Sequence, residues 1–148
     1  MIIKKLIIYK YFYNNNINNL YNYNLYLMKS FGYHLILDCK KCNKLKIKNL
    51  DNIRKFIDEL LKLTKMKKWG ELVVQDLQSG PKHLHGYSVI QLIHTSSIVC
   101  HFCNESGDIY IDFFSCKSFD NDTVINCVNK FFNPKKFKSQ FIERNTNF

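Results

Sequence analysis

Three short apolar runs follow one another in the middle of the chain, at residues 87–93, 97–102 and 109–116. Each has the length and apolar content of a β-strand rather than of a helix. The last two are separated by residues 104–108, Asn-Glu-Ser-Gly-Asp, whose side chains suit a hairpin turn. The sequence therefore favours a mostly antiparallel sheet at the centre of the fold.

Two amphipathic segments are predicted to be helices. Residues 50–66 repeat apolar side chains at steps of three and four, and their lysines fall on the opposite face. A second helix is expected from Asp120 or Asp122 to Phe132, because an aspartate can cap its first amide groups.

Further strands are predicted at residues 33–39 and 71–77, and residues 78–86 form a loop by their Gly and Pro content. The basic tail at residues 135–144 is expected to add an edge strand. Together these elements predict an α+β fold. We expect a two-layer α/β sandwich, with a mostly antiparallel sheet and two helices on one of its faces.

Composition narrows the possible functions. The chain has 148 residues, 46% hydrophobic and 23% charged, which is ordinary for one globular domain. A formal charge of +10 is typical of many nucleic-acid-binding proteins. The lysines, however, are spread along the chain and do not interleave with aromatic residues, so we expect no specific nucleic-acid partner.

Six cysteines occur without a recognisable secretory signal, which favours free thiols in a cytoplasmic protein. Two pairs have the Cys-x-x-Cys spacing of zinc ligands, Cys39 with Cys42 and Cys100 with Cys103. A zinc-binding module is therefore one alternative. Because each pair adjoins a strand-like run rather than a Gly-rich knuckle, we favour a protein without a metal.

Residues 1–27 are rich in Asn and Tyr and are expected to be a disordered extension outside a domain of residues 28–148. No apolar run in this segment approaches the roughly 18 residues needed to span a bilayer, so no membrane association is expected.

The most chemically dense stretch is residues 94–101, His-Thr-Ser-Ser-Ile-Val-Cys-His. Ser96 lies five residues before His101, eight after Ser88 and twenty before Cys116. One interpretation is a polar connection between two buried strands. Hydroxyls, an imidazole and a thiol at these spacings also suit a site of covalent chemistry.

The spacings resemble those of the short, bacterial-type S-adenosylmethionine decarboxylases. Residues 32–38 match the family's Gly-x-His-Leu-Ile-x-Asp strand and residues 85–88 its His-Gly-x-Ser loop, so that His34 and His85 match family histidines. The family's self-cleaving serine, processing histidine and catalytic cysteine are matched, in order, by Ser96, His101 and Cys116. The resemblance covers residues 31–120 and implies a homodimer with active sites near the junction of the subunits.

This resemblance implies self-cleavage between Thr95 and Ser96, giving a β chain of residues 1–95 and an α chain of residues 96–148. Ser97 offers a second hydroxyl, but the spacings favour Ser96. The new amino end of the α chain would become a pyruvoyl group. Its ketone condenses with the substrate amine and replaces pyridoxal phosphate, for which the sequence has no Gly-rich phosphate loop. The expected reaction releases carbon dioxide from S-adenosylmethionine and supplies aminopropyl groups for spermidine.

Individual roles follow from the resemblance. His101 would accept a proton during processing, assisted by Ser88, and Cys116 would donate a proton to the substrate. Glu105 matches a glutamate that binds the ribose hydroxyls of the substrate. We expect the side chains of Ser88, Ser96, His101 and Cys116 to meet in one site.

Three departures from the family concern the expected substrate pocket. Thr95 replaces a usual Glu, Val99 replaces a serine, and Cys103-Asn104 replaces Trp-Pro. Arginine or ornithine is therefore an alternative substrate for the same chemistry. A non-catalytic homologue that binds a partner is another alternative, and it predicts an uncut chain.

Overall fold

The computed structural model describes residues 30–146, so the prediction for residues 1–27 lies outside the described part. The elements follow in the order β1 (Gly32–Lys40), α1 (Lys44–Ile47), α2 (Leu50–Leu63), β2 (Val73–Leu77), β3 (Gly86–Ile93), β4 (Ser96–Cys103), β5 (Asp108–Ser115), α3 (Asn121–Phe132) and β6 (Lys136–Arg144). A short 3-10 helix, Lys82–Leu84, precedes β3.

The six strands form one sheet in the order β2-β3-β4-β5-β1-β6. Every neighbouring pair is antiparallel. Strands β3, β4 and β5 are consecutive neighbours, as their short connections predict, and β6 is the edge strand expected from the basic tail. The predicted α+β class is confirmed.

Helix α1 was not predicted, because four residues are too few to show a helical period. It begins after Asn43, whose side chain accepts hydrogen bonds from the amides of Leu45 and Lys46. Such a cap satisfies amide groups that the first turn of a helix leaves without partners.

The core lies between the helices and one face of the sheet. On β4 the alternate residues Ile98, Cys100 and Phe102 are no more than 2% exposed. The ring of Phe132 in α3 lies 4.9 Å from that of Phe56 in α2 and 5.3 Å from that of Phe102. These two aromatic contacts, one edge-on and one tilted, join both long helices to the sheet.

Helix α2 ends three residues earlier than predicted. Lys65 adopts a left-handed φ of 54°, and the amide of Met66 donates to the carbonyl of Leu61 at 2.9 Å. This is the hydrogen bonding of a left-handed helix terminus. Met66 is only 7% exposed, so its place in the apolar repeat reflects burial after the helix rather than helical structure.

The opposite face of the sheet, called the open face below, is not covered by a helix. Its middle row runs across five strands, and the register aligns Val73, Ile90, Val99, Asp112 and Ile36. Val73 is 58% exposed, Ile90 41% and Leu92, in the next row, 49%. The open face therefore presents apolar side chains to solvent.

Within residues 30–146, no helix has the length and apolar character needed to cross a membrane.

Replacing the buried Phe132 with alanine should lower the free energy of unfolding by about 3–5 kcal/mol, because a cavity would open between α2, α3 and the sheet. Urea denaturation followed by circular dichroism measures the loss. Leu45→Ala is the control, since Leu45 is 83% exposed and should change stability by less than about 0.5 kcal/mol. Equal effects of the two substitutions would contradict this description of the core.

Candidate active site

Ser96 has an unusual backbone conformation. It follows residues 94–95, the two-residue turn that joins β3 to β4. Such turns usually take a positive φ at their central residues. Here His94 and Thr95 do not, and Ser96 has a φ of 141° instead. A conformation that suits glycine costs another residue on the order of 1–3 kcal/mol, so strain is stored at the Thr95–Ser96 peptide.

The carbonyl group of the same peptide has a fixed donor. The register between β4 and β5 places Ser96 opposite Ser115. The next residue, Cys116, donates its backbone N–H to the Thr95 carbonyl oxygen at 2.9 Å. A donor in this position stabilises negative charge on the oxygen when a nucleophile adds to the carbonyl carbon.

The Thr95 side chain lies in a partly buried polar contact that the sequence did not predict. The Ser115 hydroxyl donates to the Thr95 hydroxyl at 3.0 Å, and the Thr95 hydroxyl donates to the Met66 sulfur at 3.3 Å. Ser115 is fully buried. The position of Ser115 directly before Cys116 could have identified it from the sequence as a candidate site residue. Met66 is 29 residues from Thr95, and the sequence shows it only as part of the apolar repeat at residues 50–66.

Ser88 and His101 lie directly opposite each other on β3 and β4. A hydrogen bond of 2.8 Å joins the Ser88 hydroxyl to Nδ1 of His101, and both side chains lie on the open face. Nearby, a Cβ added at Gly86 would lie 1.7 Å from the Phe102 carbonyl oxygen. Only glycine therefore permits this close approach of β3 to β4.

The two histidines matched to the family stabilise neighbouring structure. Nε2 of His85 donates to the Gly80 carbonyl at 2.9 Å, which closes the loop before β3. Nε2 of His34 donates to the Asp112 carboxylate at 3.0 Å, and its Nδ1 faces the Arg144 guanidinium at 3.4 Å. His34 thus links β1 to β5 and β6.

The predicted site residues fall into two groups within one chain. Ser96 and His101 are five residues apart on β4, which is roughly 17 Å along an extended strand. The four side chains therefore do not meet within one chain, and the expectation that they meet in one site stays a prediction. We call Thr95, Ser96 and Cys116 the turn half-site, and Ser88 and His101 the strand half-site.

Glu105 lies beyond the strand half-site, in the turn that joins β4 to β5. It is exposed, and its main-chain carbonyl accepts a hydrogen bond from the Lys44 ammonium group at 2.5 Å. Its predicted contact with substrate remains a prediction.

The cysteine pairs do not support the alternative of a zinc-binding module. Cys39 and Cys100 are buried in the core, and burial raises the pKa of the Cys100 thiol. The Cys39 thiol donates a hydrogen bond to Cys42, which raises the pKa of Cys39 and lowers that of Cys42. In the described part of the chain, no group of three or more His, Cys, Asp or Glu side chains is arranged to hold a metal ion.

The strain at Ser96 predicts a difference between two substitutions that both remove the hydroxyl. Ser96→Gly should be more stable than Ser96→Ala by about 1 kcal/mol or more, because only glycine adopts this φ without strain. At an unstrained position the order would reverse, since glycine loses more conformational entropy on folding. Urea denaturation of the two variants measures the difference, and a more stable alanine variant would refute the strained conformation.

Comparisons with known proteins agree with this architecture. The family model for S-adenosylmethionine decarboxylase matches residues 33–145. S-adenosylmethionine decarboxylase proenzymes from two Clostridium botulinum strains, Langeland and Okra, are each 30% identical to the chain over 99 residues, 66% of this chain and 80% of the relative. The crystal structure of the adenosylmethionine decarboxylase from Aquifex aeolicus has a similar fold, with a TM-score of 0.67 and 23% identity over 80% of this chain and 93% of that one. The chain belongs to the S-adenosylmethionine decarboxylase family.

Proposed function

We propose that this protein is a self-processing, pyruvoyl-dependent decarboxylase that acts on S-adenosylmethionine. The observation that carries the proposal is the Thr95–Ser96 peptide, which combines a strained φ at Ser96 with a carbonyl held by the Cys116 amide. The peptide lies at the position matched to the family's cleavage site, and the named relatives are proenzymes.

Processing begins at the Thr95 carbonyl carbon. The Ser96 hydroxyl adds to this carbon and the amide C–N bond breaks, so that an ester replaces the amide and the nitrogen of residue 96 becomes an amine. The N–H of Cys116, 2.9 Å from the carbonyl oxygen, stabilises the charge that develops there. Release of backbone strain at Ser96 favours the same step.

Removal of the Ser96 α-proton then expels residues 1–95 as a carboxylate and leaves dehydroalanine at residue 96. Water adds to the imine form of this residue and ammonia departs, which leaves the pyruvoyl group. His101 is the proposed base, because a neutral imidazole accepts protons near physiological pH. Its hydrogen bond with Ser88, 2.8 Å long, fixes the orientation of the ring.

The residues of the turn half-site fit a group made from Ser96. When formed, its ketone supplies the electron sink for loss of carbon dioxide from an α-amino acid. Cys116 follows the residue paired with Ser96, so its thiol is the proposed proton donor to the substrate α-carbon.

A second copy of the chain is the proposed partner, because neither half-site is complete alone. Residue 97 lies two residues before Val99 and His101 lies two residues after it on β4. A twofold axis along the middle row of the open face would therefore lay residue 97, the neighbour of Ser96, over the partner's His101, which brings the turn half-site of one copy next to the strand half-site of the other. Sheets that pack face to face lie about 10 Å apart, which side chains and a substrate can bridge.

The apolar open face supports this pairing. Val73, Ile90 and Leu92 are 58%, 41% and 49% exposed in the single chain. Contact between two such faces would remove these side chains from water, which is the main driving force of homodimer association. Ser88 and Tyr110 flank His101 in the adjoining polar row, so the same contact would shield the imidazole from solvent.

Glu105 and Cys103 are the residues proposed to select the substrate. A carboxylate at position 105 suits the two ribose hydroxyls of S-adenosylmethionine, since it accepts two hydrogen bonds. Burial and the nearby Asp108 raise the pKa of the Cys103 thiol, so it acts as a neutral, weakly polar contact. Arginine and ornithine are the competing substrates.

The product of S-adenosylmethionine decarboxylation supplies aminopropyl groups for spermidine. We place the protein in the cytoplasm, and this proposal is supported by six cysteines that all remain free thiols.

Purified protein should contain two fragments, residues 1–95 and residues 96–148 with a blocked amino end. Intact-mass spectrometry measures the cut, and release of carbon dioxide measures the activity with S-adenosylmethionine, arginine and ornithine in parallel. Ser96→Ala should abolish both, because it removes the nucleophile. The matched Ser97→Ala variant should remain cut. An uncut wild-type chain without activity would favour the non-catalytic homologue.

Coexpression of two inactive variants tests whether the half-sites act across the dimer. In a heterodimer of tagged Ser96→Ala and His101→Ala chains, the His101→Ala chain should be cut, because its Ser96 faces the intact imidazole of the partner. The Ser96→Ala chain should stay whole, and mass spectrometry distinguishes the two.

The control pairs a wild-type chain with a chain carrying both Ser96→Ala and His101→Ala. Action across the dimer predicts that the wild-type chain in this pair remains uncut, whereas action within one chain predicts that it is cut. A cut wild-type chain here, with an uncut His101→Ala chain in the first heterodimer, would exclude the proposed pairing.

A further inference from the structure

We propose that Ser115 is a positioning residue for self-cleavage, which acts by holding the Thr95 side chain against the Met66 sulfur. This inference rests on the proposed function, because it concerns the same peptide bond. It assigns a purpose to Thr95, the residue at which this chain departs from the glutamate usual before the cleaved serine.

The Ser115 hydroxyl is held from both sides. It donates to the Thr95 hydroxyl at 3.0 Å and accepts the backbone N–H of Lys117 at 3.0 Å. Ser115 is 0% exposed, so water cannot replace either partner. The Ser115 proton favours the Thr95 oxygen at 3.0 Å over the Met66 sulfur at 3.8 Å, because oxygen is the stronger acceptor.

The Thr95 hydroxyl in turn is directed at Met66, whose sulfur lies 3.3 Å away. Sulfur is a weak acceptor, so this contact alone would not fix the side chain. The Thr95 hydroxyl therefore has one strong hydrogen-bond partner, Ser115, and contacts the Met66 side chain on its other side. Two contacts to one γ-oxygen select a single χ1 rotamer of a β-branched side chain.

The segment that carries Met66 is itself held in place by hydrogen bonds. The amide of Met66 donates to the Leu61 carbonyl at 2.9 Å, and the Lys117 ammonium group donates to the Lys65 carbonyl at 2.9 Å. The β3–β4 turn is attached to the segment that follows α2, because the amide of His94 donates to the Lys67 carbonyl at 3.0 Å. The end of α2, the β3–β4 turn and the end of β5 are thus tied together around one peptide bond.

This arrangement acts on the first chemical step. Addition of the Ser96 hydroxyl needs a carbonyl carbon in a narrow range of distance and angle, and misplacement by about 1 Å can cost on the order of 100-fold in rate. The Cys116 amide fixes the carbonyl oxygen of Thr95, and Ser115 fixes its side chain. Two fixed points on residue 95 leave its carbonyl plane little freedom to rotate away from Ser96.

The experiment follows the cleavage of newly refolded, full-length chains by mass spectrometry. The Ser115→Ala chain should be cleaved at least about tenfold more slowly than wild type, as expected for loss of an interaction made by a buried hydroxyl. Thr95→Val keeps the shape of Thr95 without its hydroxyl and should show a similar defect. Thr95→Ser keeps the hydroxyl and should cut within about threefold of wild type.

Thr123→Val is the matched control for removal of a threonine hydroxyl. The Thr123 hydroxyl donates to the Asp120 carboxylate at 2.6 Å at the start of α3, and none of the contacts described around the Thr95–Ser96 peptide involves it. This variant should have a lower melting temperature but an unchanged cleavage rate. If Ser115→Ala does not fold, the comparison of Thr95→Val with Thr95→Ser decides, and equal cleavage rates of that pair overturn the inference.

Hydroxylamine separates positioning from a general loss of stability, since it cuts an ester and leaves an amide intact. The His101→Ala chain stops after ester formation, so hydroxylamine should cut it between residues 95 and 96. The Ser115→Ala chain is slow before the ester forms, so hydroxylamine should not restore its cleavage. Rapid cutting of Ser115→Ala by hydroxylamine overturns the positioning role.

These outcomes remain distinct from failure of the proposed function. If wild type is never cut, self-processing itself fails. If wild type is cut, Ser96→Ala is not, and Ser115→Ala is cut at the wild-type rate, then only the role of Ser115 fails.

Discussion

The register between β4 and β5 is the constraint on which the candidate site depends. It places Ser96 opposite Ser115, and only in this register does the Cys116 amide reach the Thr95 carbonyl. The register is set at the far end of the pair, where Gly107 adopts a φ of 77° and its amide donates to the Cys103 carbonyl. A slip of one residue would exchange the two faces of β4, exposing its core residues and separating the reacting groups.

Much of the fold follows from local pattern. The apolar period of α2, the aspartate before α3 and the three central strands were all predictable, because each depends on residues close together in sequence. Helix α1 was not, since its existence depends on the Asn43 cap rather than on a repeat. The end of α2 was misplaced because burial of Met66 continues the apolar period after the backbone has turned.

The separation of the half-sites shows that spacing along a chain does not determine the distance between residues in the fold. Five residues between Ser96 and His101 would cover little more than one turn of a helix, but on a strand they span roughly 17 Å. The match of spacings suggested the residues, whereas their proposed arrangement depends on the strand assignment and on a second copy of the chain. The partners of Thr95 come from the end of α2 and the end of β5, so no local pattern could have revealed them.

If the chain is cut as proposed, the order of strands in the sheet determines how the two peptides are held together. Strands β1, β2 and β3 precede the bond between residues 95 and 96, and β4, β5 and β6 follow it. In the sheet, however, β1 lies between β5 and β6, so the two peptides alternate at three of the five strand junctions. Phe56 and Phe132, one from each peptide, also pack together in the core. The products of cleavage would remain interwoven without any covalent link, and the new chain ends would stay where the backbone was broken.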